Sequence, residues 1–186
     1  MPIEECQRPA KLYRYSERQW LERSLSLGEF RLRPPVEEVQ GGPSGSAAIL
    51  PFTAGAKRGL PAANYLTLSM AQAWDDVLFD QFPGSDCCLV VHDVEQFGER
   101  IHRAAAKLLP SWVGIDAAVS YGGTSPLGAA FCKTKRHALE QEWLFAWRPM
   151  QPAMPVNPVV IRIGSIEDIA ELRVRNGVLA AGRDSV

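Results

Sequence analysis

The chain has 186 residues, of which 20 are Lys or Arg and 21 are Asp or Glu, so its formal net charge is −1. The hydrophobic fraction of 46% and the charged fraction of 22% are typical of a globular domain. The near-neutral charge argues against a general nucleic-acid or membrane-surface binder, because such binding requires clustered positive charge. The length predicts one domain over residues 1–186, with a core that needs no metal or disulfide staples.

Cysteine usage and the lack of targeting signals bear on location. The cysteines are Cys6, Cys87, Cys88 and Cys132, and none forms a C-x-x-C pair. No apolar run is long enough to span a bilayer, and the first residues do not form a secretory signal. The sequence therefore favours a reduced, cytoplasmic location without membrane contact. Export by a dedicated secretion machine stays open.

The first predicted elements are a strand, a helix and a return strand within residues 11–33. Ser16 is a suitable N-cap for ERQWLERSL, and Gly28 is suited to end that helix. Phe30 and Leu32 alternate with charged residues, which is typical of a half-buried strand. Residues 34–63 hold five prolines and five glycines and are predicted to form a long surface loop, either a lid or a disordered connector.

The remaining chain predicts alternating strands and helices. Strands are expected in NYLTLSM, CCLVVH, VGIDAAVSY and VVIRIG, and helices in AWDDVLFDQF and VEQFGERIHRAAAKLL. Asp93 is the expected N-cap of the second helix, and KTKRHALEQEWLFAW is expected to pass from a helical turn into a strand near Glu142. Ser165 is expected to begin a helix over SIEDIAELRVR, and the end from about 177 to fray. The predicted fold is α+β: a mostly antiparallel or mixed sheet of about six strands with packed helices.

The segment from Glu140 to Trp147 is the first candidate for chemistry. If it is extended, Glu140 and Glu142 share one strand face, while Trp143, Phe145 and Trp147 form the apolar face. A carboxylate pair aimed into a cleft can stabilise a developing sugar cation. The alternative is a solvated strand end whose acids only aid solubility.

Two earlier segments offer further candidates. Arg14, between Tyr13 and Tyr15, can grip a phosphate with its guanidinium fork, or else the tyrosines pack and the arginine is solvated or pairs with a surface acid. Ser69 in LTLSM can fix a neighbouring carboxylate by a hydrogen bond, although Ser is also ordinary in strands. Lys133 and Lys135, just before the acidic pair, can bind phosphate or be solvated.

Taken in order, these segments resemble known families. An aromatic-flanked Arg in the first strand, a Ser-bearing middle strand and a late E-x-E resemble the Arg–Ser–Glu pattern of ADP-ribosyltransferases, including bacterial toxins. The succession LYRY, YLTLSMA, VSYGGTSPLG and FCKTKRHALEQEWLFAW also resembles an uncharacterised bacterial and phage-associated domain family with a Lys before an E-x-E-W-R segment. The sequence departs from that family at Leu144, where many members carry Arg.

The first resemblance implies roles for individual residues. Arg14, flanked by Tyr13 and Tyr15, would contact the phosphates or adenosine ribose of NAD, and Ser69 would support the nicotinamide ribose site. Glu142 would stabilise the cation as nicotinamide leaves, and Glu140 would orient the acceptor, a protein or a nucleic acid.

Other function classes stay open beside this one. The alternative is a non-catalytic binding or interaction protein of bacterial or phage origin, for which Arg14 and Glu142 would lie far apart. A third interpretation pairs Cys132 with His137 as nucleophile and base. His92, His102 and His137 lack metal-ligand spacing with any cysteine pair, so no metal site is expected. The sequence does not indicate the oligomeric state.

Overall fold

The computed structural model describes residues 7–35, 64–151 and 156–175. In chain order these residues form β1 (Leu12–Ser16), α1 (Arg18–Leu27), β2 (Glu29–Leu32), β3 (Leu66–Ala71), α2 (Val77–Gln81), β4 (Cys87–Val91), α3 (Val94–Leu108), β5 (Trp112–Ala118), β6 (Ser120–Tyr121), β7 (Cys132–Lys133), β8 (Glu142–Pro149), β9 (Val159–Arg162) and β10 (Ala170–Val174). Two 3-10 helices lie at Ala129–Phe131 and Lys135–Glu140. Apart from residues 34 and 35, the predicted loop at 34–63 lies outside the described residues, as does the C-terminus from 177.

The main sheet has six strands in the order β10-β4-β1-β3-β8-β5, and every neighbouring pair is antiparallel. β2 and β9 form a separate antiparallel pair, and the short strands β6 and β7 form a parallel one. The predicted α+β fold, with a mostly antiparallel sheet of about six strands and helices packed on it, is therefore confirmed.

The side chains of the main sheet divide between two apolar layers. On one side, here called the large-core face, Leu89 and Phe145 pack against α1, α3, β2 and β9. On the other, the small-core face, Cys88 packs with α2, and Leu144 packs with the 3-10 helix at Ala129–Phe131. All five residues of β4 are buried, as the continuous apolar run CCLVV predicts for a strand covered on both faces.

Local capping chemistry marks the end of α1 and the start of α3. Gly28 ends α1 in the left-handed region at φ 61°, and the Asp93 carboxylate accepts the Gln96 N–H at the start of α3. The prediction of Ser16 as N-cap of α1 is wrong: Glu17 holds that position, and Asp86 accepts the Arg18 N–H at 2.7 Å.

The predicted helix over SIEDIAELRVR is also wrong. Residues 170–174 form β10, which pairs antiparallel with β4 from Ala170 opposite Val91 to Val174 opposite Cys87. Ser165 Oγ does accept the Glu167 N–H at 3.3 Å, but this contact closes a turn. The strand forms because Ala170 and Leu172 alternate with polar residues and complete the large core beside β4.

No helix in the described ranges is both long and apolar enough to cross a membrane.

Candidate functional site

The three strands that carry the predicted site residues are neighbours in the main sheet. β1 holds Arg14, β3 holds Ser69 and β8 begins at Glu142, and these strands lie side by side in that order. Arg14 Nη1 donates a hydrogen bond of 3.0 Å to the Ser69 carbonyl oxygen. The fold therefore brings two of the predicted segments into direct contact.

A gap in the strand pairing explains the Arg14 contact. β1 pairs with β3 at Tyr13 opposite Ala71, whereas further along the same edge of β3 the backbone of Arg33 pairs with Thr67. The Ser69 carbonyl lies between these two pairings, so no strand donor reaches it and its hydrogen bond must come from a side chain or from water. The Arg14 guanidinium supplies it.

Arg14 has the electrostatics of a cation without a counter-ion. Burial, together with the nearby charge of Arg33, lowers the pKa of Arg14 to about 10. Within the described residues, no carboxylate forms an ion pair with it.

Arg14 and Glu142 branch from opposite faces of the sheet. Arg14 is in register with Leu89, whose side chain belongs to the large core. Glu142 is in register with Ala71, which belongs to the small-core face. Paired residues of a ladder point to the same side, so the expected shared hollow between Arg14 and Glu142 is not formed by the described residues.

Tyr13 and Tyr15 belong to the small-core face. Tyr15 donates to the Ala73 carbonyl and accepts the Asp75 N–H, both at 3.0 Å. Its ring packs edge-on against Phe79 at 4.9 Å between centroids, and burial raises the pKa of its hydroxyl. Tyr13 meets the Trp74 ring edge-on at 6.3 Å. Tyr15 is therefore an anchor of the fold, in agreement with the packing alternative.

Glu142 is held in a buried ion pair at the start of β8. Its side chain is 4% exposed, and Lys133 Nζ lies 2.5 Å from its Oε2. No donor among the described residues other than this ammonium reaches Oε2. The backbone is fixed more firmly, because the Glu142 N–H donates to the Tyr121 hydroxyl at 2.8 Å.

Glu140 reaches the same ammonium from outside the strand. It ends the 3-10 helix at Lys135–Glu140, and Gln141 turns the chain in the left-handed region at φ 41°. The expectation that Glu140 and Glu142 share one strand is therefore wrong, yet Glu140 Oε2 lies 3.2 Å from Lys133 Nζ. The carboxylates converge because one cation attracts both.

Lys133 and His137 complete this carboxylate cluster, defined by Lys133, His137, Glu140 and Glu142. Burial opposes the charge of Lys133, but Glu142 and Glu140 raise its pKa overall, so it is a cation at neutral pH. His137 Nδ1 lies 3.0 Å from Glu140 Oε1. Glu140 and His137 are partly exposed, so they can form hydrogen bonds with a hydroxyl group of a ligand. Glu142 is buried and is paired with Lys133.

Cys132 lies beside this cluster but bonds within its own loop. Its Sγ accepts the Ser125 N–H at 3.0 Å and contacts the Gly128 carbonyl oxygen at 3.5 Å. His137 instead faces Glu140. This arrangement does not supply the thiol–imidazole contact that a nucleophile and its base require.

A second polar network, which the sequence did not predict, lies on the large-core face around Asp116. Its carboxylate accepts Arg8 Nε and Nη2, each at 2.8 Å, and the Trp143 indole N–H at 2.9 Å. His102 Nε2 is 2.7 Å from Oδ1. Burial opposes ionisation, but the hydrogen bonds from Arg8, His102 and Trp143 lower the pKa of Asp116 well below its ordinary value.

Arg8, in the N-terminal segment, packs its guanidinium directly against Gly98 of α3. A Cβ atom on Gly98 would lie 2.5 Å from Arg8 Cζ, so a larger residue would displace the guanidinium. The available signal was Asp116 itself, a charged residue at an inward position of a strand. Nothing local identifies Arg8, which lies 108 residues away in the chain.

No group of three or more His, Cys, Asp or Glu in the described ranges is arranged to hold a metal ion. Comparison with known proteins identifies no relatives: no family model matches the chain, and no curated protein or solved structure is significantly similar to it. The resemblance to ADP-ribosyltransferases and to the bacterial and phage-associated domain family therefore depends on the residue pattern alone and stays a prediction.

Proposed function

We propose that this protein acts as a protein-binding module and not through chemistry shared by Arg14 and Glu142. The observation that carries the proposal is the placement of these two side chains on opposite faces of the sheet. The described residues form no hollow that both side chains line.

The state of Glu142 supports the same proposal. A carboxylate that stabilises a sugar cation must face the reacting carbon. Glu142 is 4% exposed and already neutralised by Lys133 at 2.5 Å. Two surface grooves of the described residues, one beside Glu17 and Asp86 and one between α3 and β9, are lined by other residues.

The test is affinity capture from the source cells, with the wild type and Glu142→Gln as baits. We expect both baits to retain the same partner in stoichiometric amount, because Glu142 lies inside the fold. Baits that retain no partner above background, together with nicotinamide release from NAD that the substitution abolishes, would reject the proposal.

ADP-ribosyl transfer is the second candidate function, because one observation favours it. The strands bearing Arg14, Ser69 and Glu142 are adjacent in the order of the Arg–Ser–Glu pattern. In this proposal NAD is the substrate: its nicotinamide glycosidic bond breaks, and an acceptor nucleophile bonds to the ribose carbon. Arg14 binds the phosphates, Glu142 stabilises the cation, and Glu140 orients the acceptor.

Nicotinamide release from NAD by the wild type, Glu142→Gln and Glu140→Gln tests this candidate. Glu95→Gln is the control, since Glu95 is 68% exposed and lies on α3, away from the carboxylate cluster. We expect a loss of at least about 100-fold for Glu142→Gln and none for the control. Equal rates for all four proteins would remove the candidate.

A further inference from the structure

A surface groove of about 440 Å³ runs between the second half of α3 and β9. Four consecutive residues of the β9 segment, 160–163, line it. Because side chains of a strand alternate between its two sides, four in succession can border a groove only when it follows the backbone edge. The groove therefore lies along an edge of β9.

That edge carries unused backbone groups. Arg162 is opposite Glu29, and the next hydrogen bond runs from the Ile163 N–H to the Gly28 carbonyl at 3.0 Å. Since bonding alternates along an antiparallel ladder, the backbone groups of Ile161 and Ile163 face β2, and those of Val160 and Arg162 face away from it. No strand among the described residues pairs with this outer edge.

The opposite wall of the groove is cationic. Arg100, Arg103 and Lys107 of α3 line it. Arg100 is paired with Asp168, whereas Arg103 and Lys107 have no ion pair with a carboxylate of the described residues. Positions four apart lie on the same side of a helix, so these two side chains present unneutralised charge together.

Apolar surface lies between the charges and the strand edge. Leu108 is 50% exposed and Val160 is 49% exposed, and both line the groove. A ligand that fits must therefore offer backbone donors and acceptors, carboxylates and small apolar groups along one line. An extended acidic peptide has all three, whereas a nucleic acid lacks the backbone groups that complete a strand.

Within the protein-binding function proposed above, we infer that the outer edge of β9 and the basic side of α3 bind an extended acidic segment of a partner protein. The segment adds a strand to β9 through the free backbone groups of Val160 and Arg162. Its carboxylates pair with Arg103 and Lys107, and its intervening apolar side chains cover Leu108 and Val160.

The test is fluorescence anisotropy with a labelled ten-residue peptide that alternates Glu with Val or Thr. We expect Arg103→Glu/Lys107→Glu to weaken binding at least about 10-fold. The matched control is Lys11→Glu/Arg148→Glu, which makes the same change in net charge at two exposed cations away from the groove and should bind like the wild type. If both double variants weaken binding equally, the peptide responds only to the net charge of the protein, and the inference is overturned.

Strand addition is tested separately on the ligand, so that folding of the protein is not at issue. A peptide N-methylated at alternate residues keeps its charges but loses the donors that face β9. Two such peptides are made, one methylated at the odd positions and one at the even positions. We expect the peptide whose methylated nitrogens face β9 to bind at least about 10-fold more weakly than the parent peptide. Unchanged binding by both methylated peptides would overturn the inference. Val160→Pro, which removes one outward N–H, should weaken the parent peptide in the same direction.

The remaining outcomes identify other occupants and also overturn the inference. A ten-nucleotide RNA that binds at the groove in place of the peptide would assign it to phosphate. Concentration-dependent dimers that Val160→Pro abolishes, without peptide binding, would assign the edge to a second copy of the chain. A captured partner that binds the Arg103→Glu/Lys107→Glu variant as well as the wild type would remove this groove but leave the protein-binding function intact.

Discussion

Asp116 and Glu142 are two buried carboxylates on neighbouring strands, and they differ in how their charge is met. Asp116, on the large-core face, receives two guanidinium donors and an indole N–H and contacts an imidazole. Glu142, on the small-core face, has one ammonium at 2.5 Å, which it shares with Glu140. The first carboxylate is fully coordinated, and the second is only neutralised.

This difference separates a carboxylate that organises the fold from one whose single partner can be displaced. A buried carboxylate with four polar partners fixes the elements that supply them, here the N-terminal segment, α3 and β8. A carboxylate that depends on one shared cation can lose it to a competing ligand. A polar ligand would therefore change the carboxylate cluster more than the network around Asp116, because the cluster is less strongly held.

The largest expected effect is that of Asp116→Ala on stability. The substitution leaves the Arg8 guanidinium, the Trp143 indole and His102 without their shared acceptor, and breaking such a buried pair costs about 3–5 kcal/mol. Urea unfolding measures the loss. Glu95→Ala is the control, because it removes the exposed partner of the same Arg8 and should cost less than about 1 kcal/mol. Equal losses would show that Asp116 is not the centre of the network.

The next effect is that of Lys133→Met, which leaves Glu142 buried without its cation. We expect a loss of about 2–3 kcal/mol in the free energy of unfolding at pH 7, with Lys11→Met as an exposed control near zero. Adding Glu142→Gln to Lys133→Met should restore more than half of the loss, because the uncompensated charge is then absent. Additive losses in the double variant would mean that the ion pair does not couple the two residues.

Acid titration sharpens the comparison further. The folded-state pKa of Asp116 is depressed, so its contribution is present above the unfolded pKa of about 3.9 and is lost as pH falls below it. The slope from one such group approaches about 1.4 kcal/mol per pH unit. The stability difference between the wild type and Asp116→Asn should therefore shrink between pH 5 and about pH 3. A difference that is constant with pH contradicts the assignment.

The smallest expected loss of stability is that of Arg14→Met. Arg8 meets carboxylates, whereas Arg14 meets the backbone carbonyl of Ser69 at 3.0 Å. Arg14→Met should cost about 0.5–1 kcal/mol through the loss of this exposed hydrogen bond, less than Asp116→Ala. Arg31→Met, at an exposed position of β2, is the control and should lie within about 0.5 kcal/mol of the wild type. An Arg14→Met loss no larger than that of the control would show that the gap beside β3 needs no donor.

The sequence predicted elements whose signal is local and failed where distant partners decide. The unbroken run CCLVV and the capping Asp93 identified β4 and α3, because burial on two faces and an N-cap leave direct marks in composition. Ser165 and the residues after it imitate the capped start of a helix, but pairing with β4 makes residues 170–174 a strand.

The candidate site divides in the same way. The strands bearing Arg14, Ser69 and Glu142 are neighbours in the sheet, but the face on which each side chain lies depends on register, which the sequence does not reveal. The left-handed turn at Gln141 and the reach of Lys133 to both glutamates depend on the folded loop. Arg8 and Asp116 are 108 residues apart in the chain, so no local sequence pattern could predict their contact.

The position of β4 has a consequence for biosynthesis. This strand pairs on one side with β1, near the start of the chain, and on the other with β10. Until residues 170–174 have left the ribosome, one edge of β4 has unpaired backbone groups and its apolar side chains lack the cover of β10. Pairings so far apart in sequence slow folding and leave nascent chains open to aggregation, so chaperone demand should persist until residues 170–174 have emerged from the ribosome.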